Sequence, residues 1–111
     1  MGKHLLVVLS NATEGGDDEF NRWYTNTHLG DILALNGYTA AQRFKLSETQ
    51  LGAADAPYKY LALYEVDEGD LPAAAGALSG DATRNMEISP TLDRDRTVAW
   101  FFSAITERVT A

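Results

Sequence analysis

The chain has 111 residues and 45% of them are hydrophobic, so it can bury one core and is too apolar for a disordered protein. Its 16 acidic residues outnumber its 9 basic ones, and the net charge of −7 argues against binding to phosphate backbones or anionic membranes. The absence of cysteine excludes disulfides, thiol nucleophiles and thiolate metal sites. We find no signal-peptide pattern and no apolar span of about 20 residues, so we expect a cytoplasmic protein.

The first half of the chain predicts a strand followed by one long helix. Residues 4–9 (HLLVVL) form a short apolar run that favours a strand buried on both faces. From 19 to about 35 the apolar residues recur at helical spacing, with Asp17 or Asp18 as the expected N-cap and Asn-Gly at 36–37 as the stop signal. One face of this helix carries Phe20, Trp23, Tyr24, Thr27, His28, Asp31, Ile32 and Leu35.

The second half predicts three further strands and a second helix. Residues 38–46 and the alternating segment 58–66 (YKYLALYEV) are typical of strands, and so is 96–109. A small-residue helix is expected at 71–78. The resulting order of strand, helix, strand, strand, helix, strand is that of a ferredoxin-like βαββαβ sandwich. We therefore expect a single α+β domain over 1–111, with two helices on one face of a four-stranded antiparallel sheet.

The last predicted strand indicates a partner for the sheet. Trp100, Phe101 and Phe102 follow one another, so both faces of this strand are apolar. A sheet that is apolar on both faces needs a cover, and a second copy of the chain supplies it most simply. An RNA-binding domain with the same strand order would carry a basic, aromatic and glycine signature on its third strand. YKYLALYEV has no glycine, and the chain is acidic, so we expect no nucleic-acid partner.

One segment resembles a known family. Residues 23–44 (WYTNTHLGDILALNGYTAAQRF) join an aromatic pair, a histidine, an aspartate, Gly-Tyr and a strand ending in Arg-Phe. This resembles the EthD-like branch of the dimeric α+β barrel superfamily, whose members often show W-Y-x-x-x-H-x-x-D at this place. The specific likeness covers residues 20–45, and Gly30 departs from it because the family commonly has proline there.

The resemblance implies a homodimer built sheet to sheet, with a pocket in each subunit between sheet and helices. The superfamily includes polyketide cyclases, lactone isomerases, small dehydratases and decarboxylases, and haem-degrading monooxygenases. Most members of the first groups need no metal or organic cofactor. We therefore expect no cofactor and a small-molecule substrate.

Three residues of the first helix are candidates for acid–base catalysis. His28 lies on the apolar stripe. Because an unperturbed histidine titrates near neutrality, His28 could transfer protons. The alternative is a core histidine bonded to a backbone carbonyl. Asp31, one turn later, could orient His28, or it could be a surface carboxylate or pair with Arg43. Tyr24 could donate a hydrogen bond to a substrate carbonyl, or could simply pack on the sheet.

A second set of side chains could bind the substrate. Asn11 ends the first strand, where its amide could hold an oxyanion or simply form a turn. Arg43 could clamp a carboxylate or pair with one of the many acids. Tyr60 and Tyr64 share one strand face, which could line the pocket or the dimer interface. The full expected set is Asn11, Trp23, Arg43, Tyr60, Tyr64 and Trp100.

The leading hypothesis is a cofactor-independent enzyme that performs acid–base chemistry, such as dehydration, cyclisation, isomerisation or a lyase step, on an apolar or aromatic carbonyl compound. One alternative is a haem-binding or haem-degrading barrel, for which Asn11, His28 and Trp100 are suitable residue types. The predicted second helix, however, has no histidine. Another alternative is a non-catalytic ligand-binding accessory dimer. We expect no metal site, because His4 and His28 lie on different elements and no carboxylate cluster has ligand spacing.

Overall fold

The computed structural model describes residues 4–52, 55–67, 69, 71–80, 83 and 86–111. The strands are β1 (His4–Ser10), β2 (Tyr38–Lys45), β3 (Tyr60–Val66) and β4 (Val98–Ser103). They form one antiparallel sheet in the order β2-β3-β1-β4. The predicted ferredoxin-like sandwich is thereby confirmed. β2 and β3 pair as a hairpin, and β1 lies between β3 and β4, as the split βαβ order requires.

The first helix differs from the prediction. The predicted single α-helix is interrupted, because a π-helical turn (Tyr24–His28) joins α1 (Asp17–Trp23) to α2 (Leu29–Leu33). The second predicted helix is confirmed as α3 (Leu71–Leu78). Within the described part of the chain, no helix is both long enough and apolar enough to cross a membrane.

Two boundaries predicted from the sequence are wrong. The residue that caps α1 is Gly16, and Asp17 is already helical. The carboxylate of Asp17 accepts a hydrogen bond from Tyr60 and does not cap the backbone. The last strand is shorter than 96–109. A 3₁₀ turn at Arg94–Arg96 precedes it, and residues 104–111 form no strand.

The core lies between the helices and one face of the sheet. Leu6 pairs with Tyr64 on one side and Phe101 on the other, so these side chains share the helix-facing surface. More than half of the buried members of this core are aromatic. Its buried members are Leu6, Phe20, Trp23, Tyr24, Ile32, Tyr38, Tyr60, Ala62, Tyr64, Val66 and Ala74.

The opposite face of the sheet is open in the single chain. Val7 pairs with Leu63 and with Trp100, so these side chains point away from the helices. Trp100 is 53% exposed and Phe102 is 54% exposed. Trp100 therefore lies on the sheet face opposite to the helix that carries His28.

Candidate functional site

The π-turn brings His28 against two aromatic rings at once. Residues five apart lie about 140° apart around an α-helix, whereas a π-turn bonds residue i to i+5 and stacks such residues. The imidazole of His28 stacks on the indole of Trp23, with ring centroids 4.6 Å apart and an interplanar angle of 24°. It also meets the ring of Tyr24 edge-on at 4.9 Å. The contact with Trp23 could not be expected from α-helical spacing.

Burial controls the charge of His28. The Nδ1 atom is buried, and no hydrogen-bond partner for it exists among the described residues. Burial lowers the pKa of His28, and the nearby charge of Asp31 opposes this shift only in part. The imidazole is therefore neutral at pH 7. Neither Asp31 nor a backbone carbonyl in the described part of the chain bonds Nδ1, so the orienting role of Asp31 stays a prediction.

Trp23 provides a fixed surface for the imidazole. Its Nε1 donates a hydrogen bond of 2.8 Å to the backbone carbonyl of Glu87. Its ring also packs against Phe20, with centroids 6.0 Å apart. Because the indole is held at both its polar edge and its apolar face, the ring beneath His28 has little freedom to move.

Tyr24 and Tyr64 form a buried hydroxyl pair. The hydroxyl of Tyr64 donates to that of Tyr24 at 3.3 Å. Tyr24 is 2% exposed and Tyr64 is 1% exposed, and burial raises the pKa of both hydroxyls. Both phenols therefore stay protonated at neutral pH. Tyr24 lies directly beside His28, but its hydroxyl faces the core, and its contact with a substrate stays a prediction.

Arg43 ties the sheet edge to the first helix. Its Nη1 donates to Thr25 Oγ1 at 2.8 Å, and its Nη2 donates to Asn21 Oδ1 at 2.9 Å. The guanidinium carbon lies 4.6 Å from the centre of the Tyr24 ring, a cation–π distance. No ion pair joins Arg43 to Asp31 among the described residues. Arg43 thus reaches the His28 group through the ring of Tyr24.

Tyr60 lies on the helix side of the sheet and joins a polar chain beside Arg43. Its hydroxyl donates to Asp17 Oδ2 at 2.6 Å and accepts a bond from Asn21 Nδ2 at 3.2 Å. Lys59 Nζ lies 3.0 Å from the same carboxylate oxygen. The hydrogen bonds from Tyr60 and Lys59 lower the pKa of Asp17.

Sequence reasoning did not place three members of this polar chain at the site, although it named one of them, Asp17, as a helix cap. Asp17 and Asn21 are four residues apart on α1, which places both above the same strand. Lys59 immediately precedes Tyr60 at the start of β3. That spacing was the available signal, but only the packing of α1 on β3 makes these side chains meet.

Asn11 and Trp100 lie apart from the His28 group. The Nδ2 of Asn11 donates to the carbonyl of Pro57 at 2.9 Å and to that of Arg96 at 3.4 Å. Its Oδ1 accepts the backbone N–H of Lys59 at 3.0 Å. Every polar atom of this side chain therefore has a protein partner, so its binding of a substrate stays a prediction. The same holds for Trp100, which lies on the open face.

The acidic side chains in the described part of the chain do not form a metal centre. No group of three histidine, aspartate or glutamate side chains within the described ranges is arranged to hold a metal ion.

Comparison with known proteins identifies the fold. No family model and no curated protein sequence matches the chain. Solved structures do match. An EthD family protein from Bacillus halodurans has 13% identity and a TM-score of 0.63, over 92% of this chain and 98% of its own. The haem-degrader MhuD from Mycobacterium tuberculosis, with two haems in its active site, has 11% identity and a TM-score of 0.61, over 96% and 99%.

A third match is a dimeric ferredoxin-like protein of unknown function from Thermobifida fusca. It has 16% identity and a TM-score of 0.52, over 90% of this chain and 89% of its own. Identities this low carry information about architecture and not about activity. The chain therefore has the ferredoxin-like fold of the dimeric α+β barrel proteins, and its resemblance to EthD-like proteins is confirmed at the level of the fold.

Proposed function

We propose that the protein is a small enzyme that uses His28 for proton transfer without a cofactor. The observation that carries this proposal is the neutral, aromatic-enclosed imidazole of His28. A histidine that is unprotonated at pH 7 is ready to act as a general base. The surrounding rings favour a compact apolar or aromatic substrate, and we propose a carbonyl compound that undergoes dehydration, cyclisation, isomerisation or a lyase step.

The proposed reaction moves one proton through His28. Since Nδ1 is enclosed by protein, we assign the exchange to Nε2. The imidazole removes a proton from the carbon next to the carbonyl, and the electron pair of the broken C–H bond forms an enolate. The resulting imidazolium returns the proton to carbon or to a departing oxygen. The negative charge of Asp31 favours the imidazolium, and Tyr24 is the proposed donor to the enolate oxygen.

The experiment is a ligand and turnover screen with phenolic and hydroxy-carbonyl compounds. Wild type, His28→Gln and the control His4→Gln are compared, first by thermal shift and then by product analysis of each hit. We expect at least one compound to be converted by wild type and by His4→Gln, and its turnover to fall about 10²-fold or more in His28→Gln. Full activity of His28→Gln on a converted compound would refute the mechanism.

A haem-binding role is the second candidate, and two observations favour it. The fold is shared with a haem-degrading protein, and a neutral imidazole is the form of histidine that binds iron. Against it, α3 carries no histidine, and the residues suited to haem do not converge with His28. Titration with haemin decides: a Soret band that depends on His28 would favour this candidate over the first.

We also propose that the active form is a homodimer joined through the open sheet face. Trp100 and Phe102 are more than half exposed on this face. A monomer that leaves such side chains in water loses the stabilisation of their burial. A structural match that is itself dimeric supports a dimer, although not a particular interface. Sedimentation velocity tests it, and a species of monomer mass, 12.1 kDa, at micromolar concentration would contradict it.

A further inference from the structure

A small groove runs beside Arg43, between α1 and the β2 edge of the sheet. Its volume is about 270 Å³, and its lining residues are Asn21, Arg43, Phe44, Lys45 and Tyr60. Two of these side chains are cationic and none is acidic, although acidic residues outnumber basic ones 16 to 9 in the whole chain. The groove therefore concentrates positive charge on a negatively charged protein, which attracts anions to it.

Among the described residues, no carboxylate forms an ion pair with Arg43. Within that part of the chain its hydrogen bonds go to neutral oxygens, the side chain and carbonyl of Asn21 and the hydroxyl of Thr25. They occupy at most three of the five guanidinium N–H groups, and Nε–H has no acceptor in the part of the chain that the structure describes. The guanidinium is half-buried, and the aromatic rings that it contacts compensate its charge without carrying a net negative charge.

Among the described residues, the carboxylate of Asp17 is not an ion-pair partner of Arg43. It accepts hydrogen bonds from the hydroxyl of Tyr60 and from Lys59. The polar chain thus satisfies Asp17 and leaves Arg43 and Lys45 facing the groove. These two cations face a cavity slightly smaller than most small-molecule sites.

We propose that this groove binds a small organic carboxylate. The carboxylate lies against the unpaired N–H groups of Arg43 and the ammonium of Lys45, and the apolar body lies along Tyr60 and Phe44. Planar, paired recognition of this kind is what a guanidinium does best.

The groove adjoins the proposed reaction site. The ring centre of Tyr24 lies 4.6 Å from the guanidinium carbon of Arg43 and 4.9 Å from the ring centre of His28. The inference thereby extends the proposed function, since it favours substrates that bear a carboxylate. Binding itself does not require His28, so the two proposals can fail separately.

The test is calorimetric titration with benzoate and with its neutral analogue benzamide. We expect wild type to bind benzoate at least about tenfold more tightly than benzamide, because only benzoate forms charge-assisted bonds. Arg43→Lys keeps the charge but loses the planar fork, and should weaken benzoate by about tenfold. Lys45→Gln should weaken it several-fold. The control Arg22→Gln, which removes an exposed charge elsewhere on α1, should leave the affinity unchanged.

Three outcomes would overturn the inference. Equal affinity for benzoate and benzamide would show that charge plays no part. An equal loss in Lys45→Gln and Arg22→Gln would indicate a general charge effect and no site. Absence of benzoate binding at its solubility limit would remove the site altogether. If Arg43→Lys fails to fold, Lys45→Gln decides alone, and an unchanged benzoate affinity in that variant overturns the proposal.

Discussion

The imidazole of His28 stacks on the indole of Trp23, five residues earlier in the chain, with ring centroids 4.6 Å apart. A regular α-helix would turn these two side chains about 140° away from each other. The π-turn at Tyr24–His28 holds one extra residue, so the segments on both sides keep their apolar faces toward the sheet. Leu29 and Ile32 consequently pack on the core after the turn, as Phe20 does before it.

The first prediction concerns the pH dependence of stability. Because burial lowers the pKa of His28, the folded protein disfavours its protonation, while the unfolded chain accepts a proton near pH 6.5. The contribution of neutral His28 to the free energy of unfolding is therefore fully present above pH 6.5. It is lost as the pH falls below that value, by at most about 1.4 kcal/mol per pH unit. Urea unfolding at pH 7.5 and pH 5 should show a larger drop in wild type than in His28→Gln. Equal drops would contradict the burial of a neutral His28.

The second prediction uses two deletions of equal length. Deleting Asn26 should turn the π-turn into an α-turn and keep His28 on the inner face, with its pKa still lowered. Deleting Gly30 should also yield a continuous helix that keeps Ile32 inside, but it should rotate His28 and Leu29 by about 100°. The pKa of His28 should then rise toward about 6.5. NMR titration of the imidazole measures both, and the same pKa in the two variants would contradict this account of the turn.

The third prediction concerns Asn11, which joins the end of β1 to the backbone at Pro57, Lys59 and Arg96. Asn11→Ala removes the three hydrogen bonds of this buried side chain, and a hydrogen bond contributes about 0.5–1.5 kcal/mol net. We expect a loss of about 2 kcal/mol or more in the free energy of unfolding, measured in urea. Asn26→Ala, at an exposed helical position, is the control and should change it by no more than about 0.5 kcal/mol.

The fourth prediction concerns the open sheet face. Trp100→Lys places a charge among the apolar side chains that the proposed dimer would bury, and desolvating a lysine there is costly. Sedimentation velocity should show dimer for wild type and monomer for Trp100→Lys. Leu51→Lys, at a fully exposed loop position, should remain a dimer. If both variants sediment like wild type, the subunits do not meet at this face.

The sequence by itself determined the order of elements and the face each apolar residue takes in the strands. Alternation along β3 and the double-sided apolar run in β4 are local properties, because successive strand side chains point to opposite faces. Charge and the absence of cysteine likewise exclude whole classes of chemistry before any fold is known. His28 could be placed beside Tyr24 from helical spacing alone.

Only the tertiary structure decided the remaining geometry of the site. The π-turn lets both flanking helices pack on one sheet. Helix propensities of the local residues do not predict this turn, because it depends on contacts with the sheet. The partners of Arg43 lie 18 to 22 residues away, and those of Asn11 lie 46 to 85 residues away, so they depend on which elements pack together. Pairing of β4 with β1 likewise turned Trp100 away from His28, because one residue of register decides the face of every side chain in a strand.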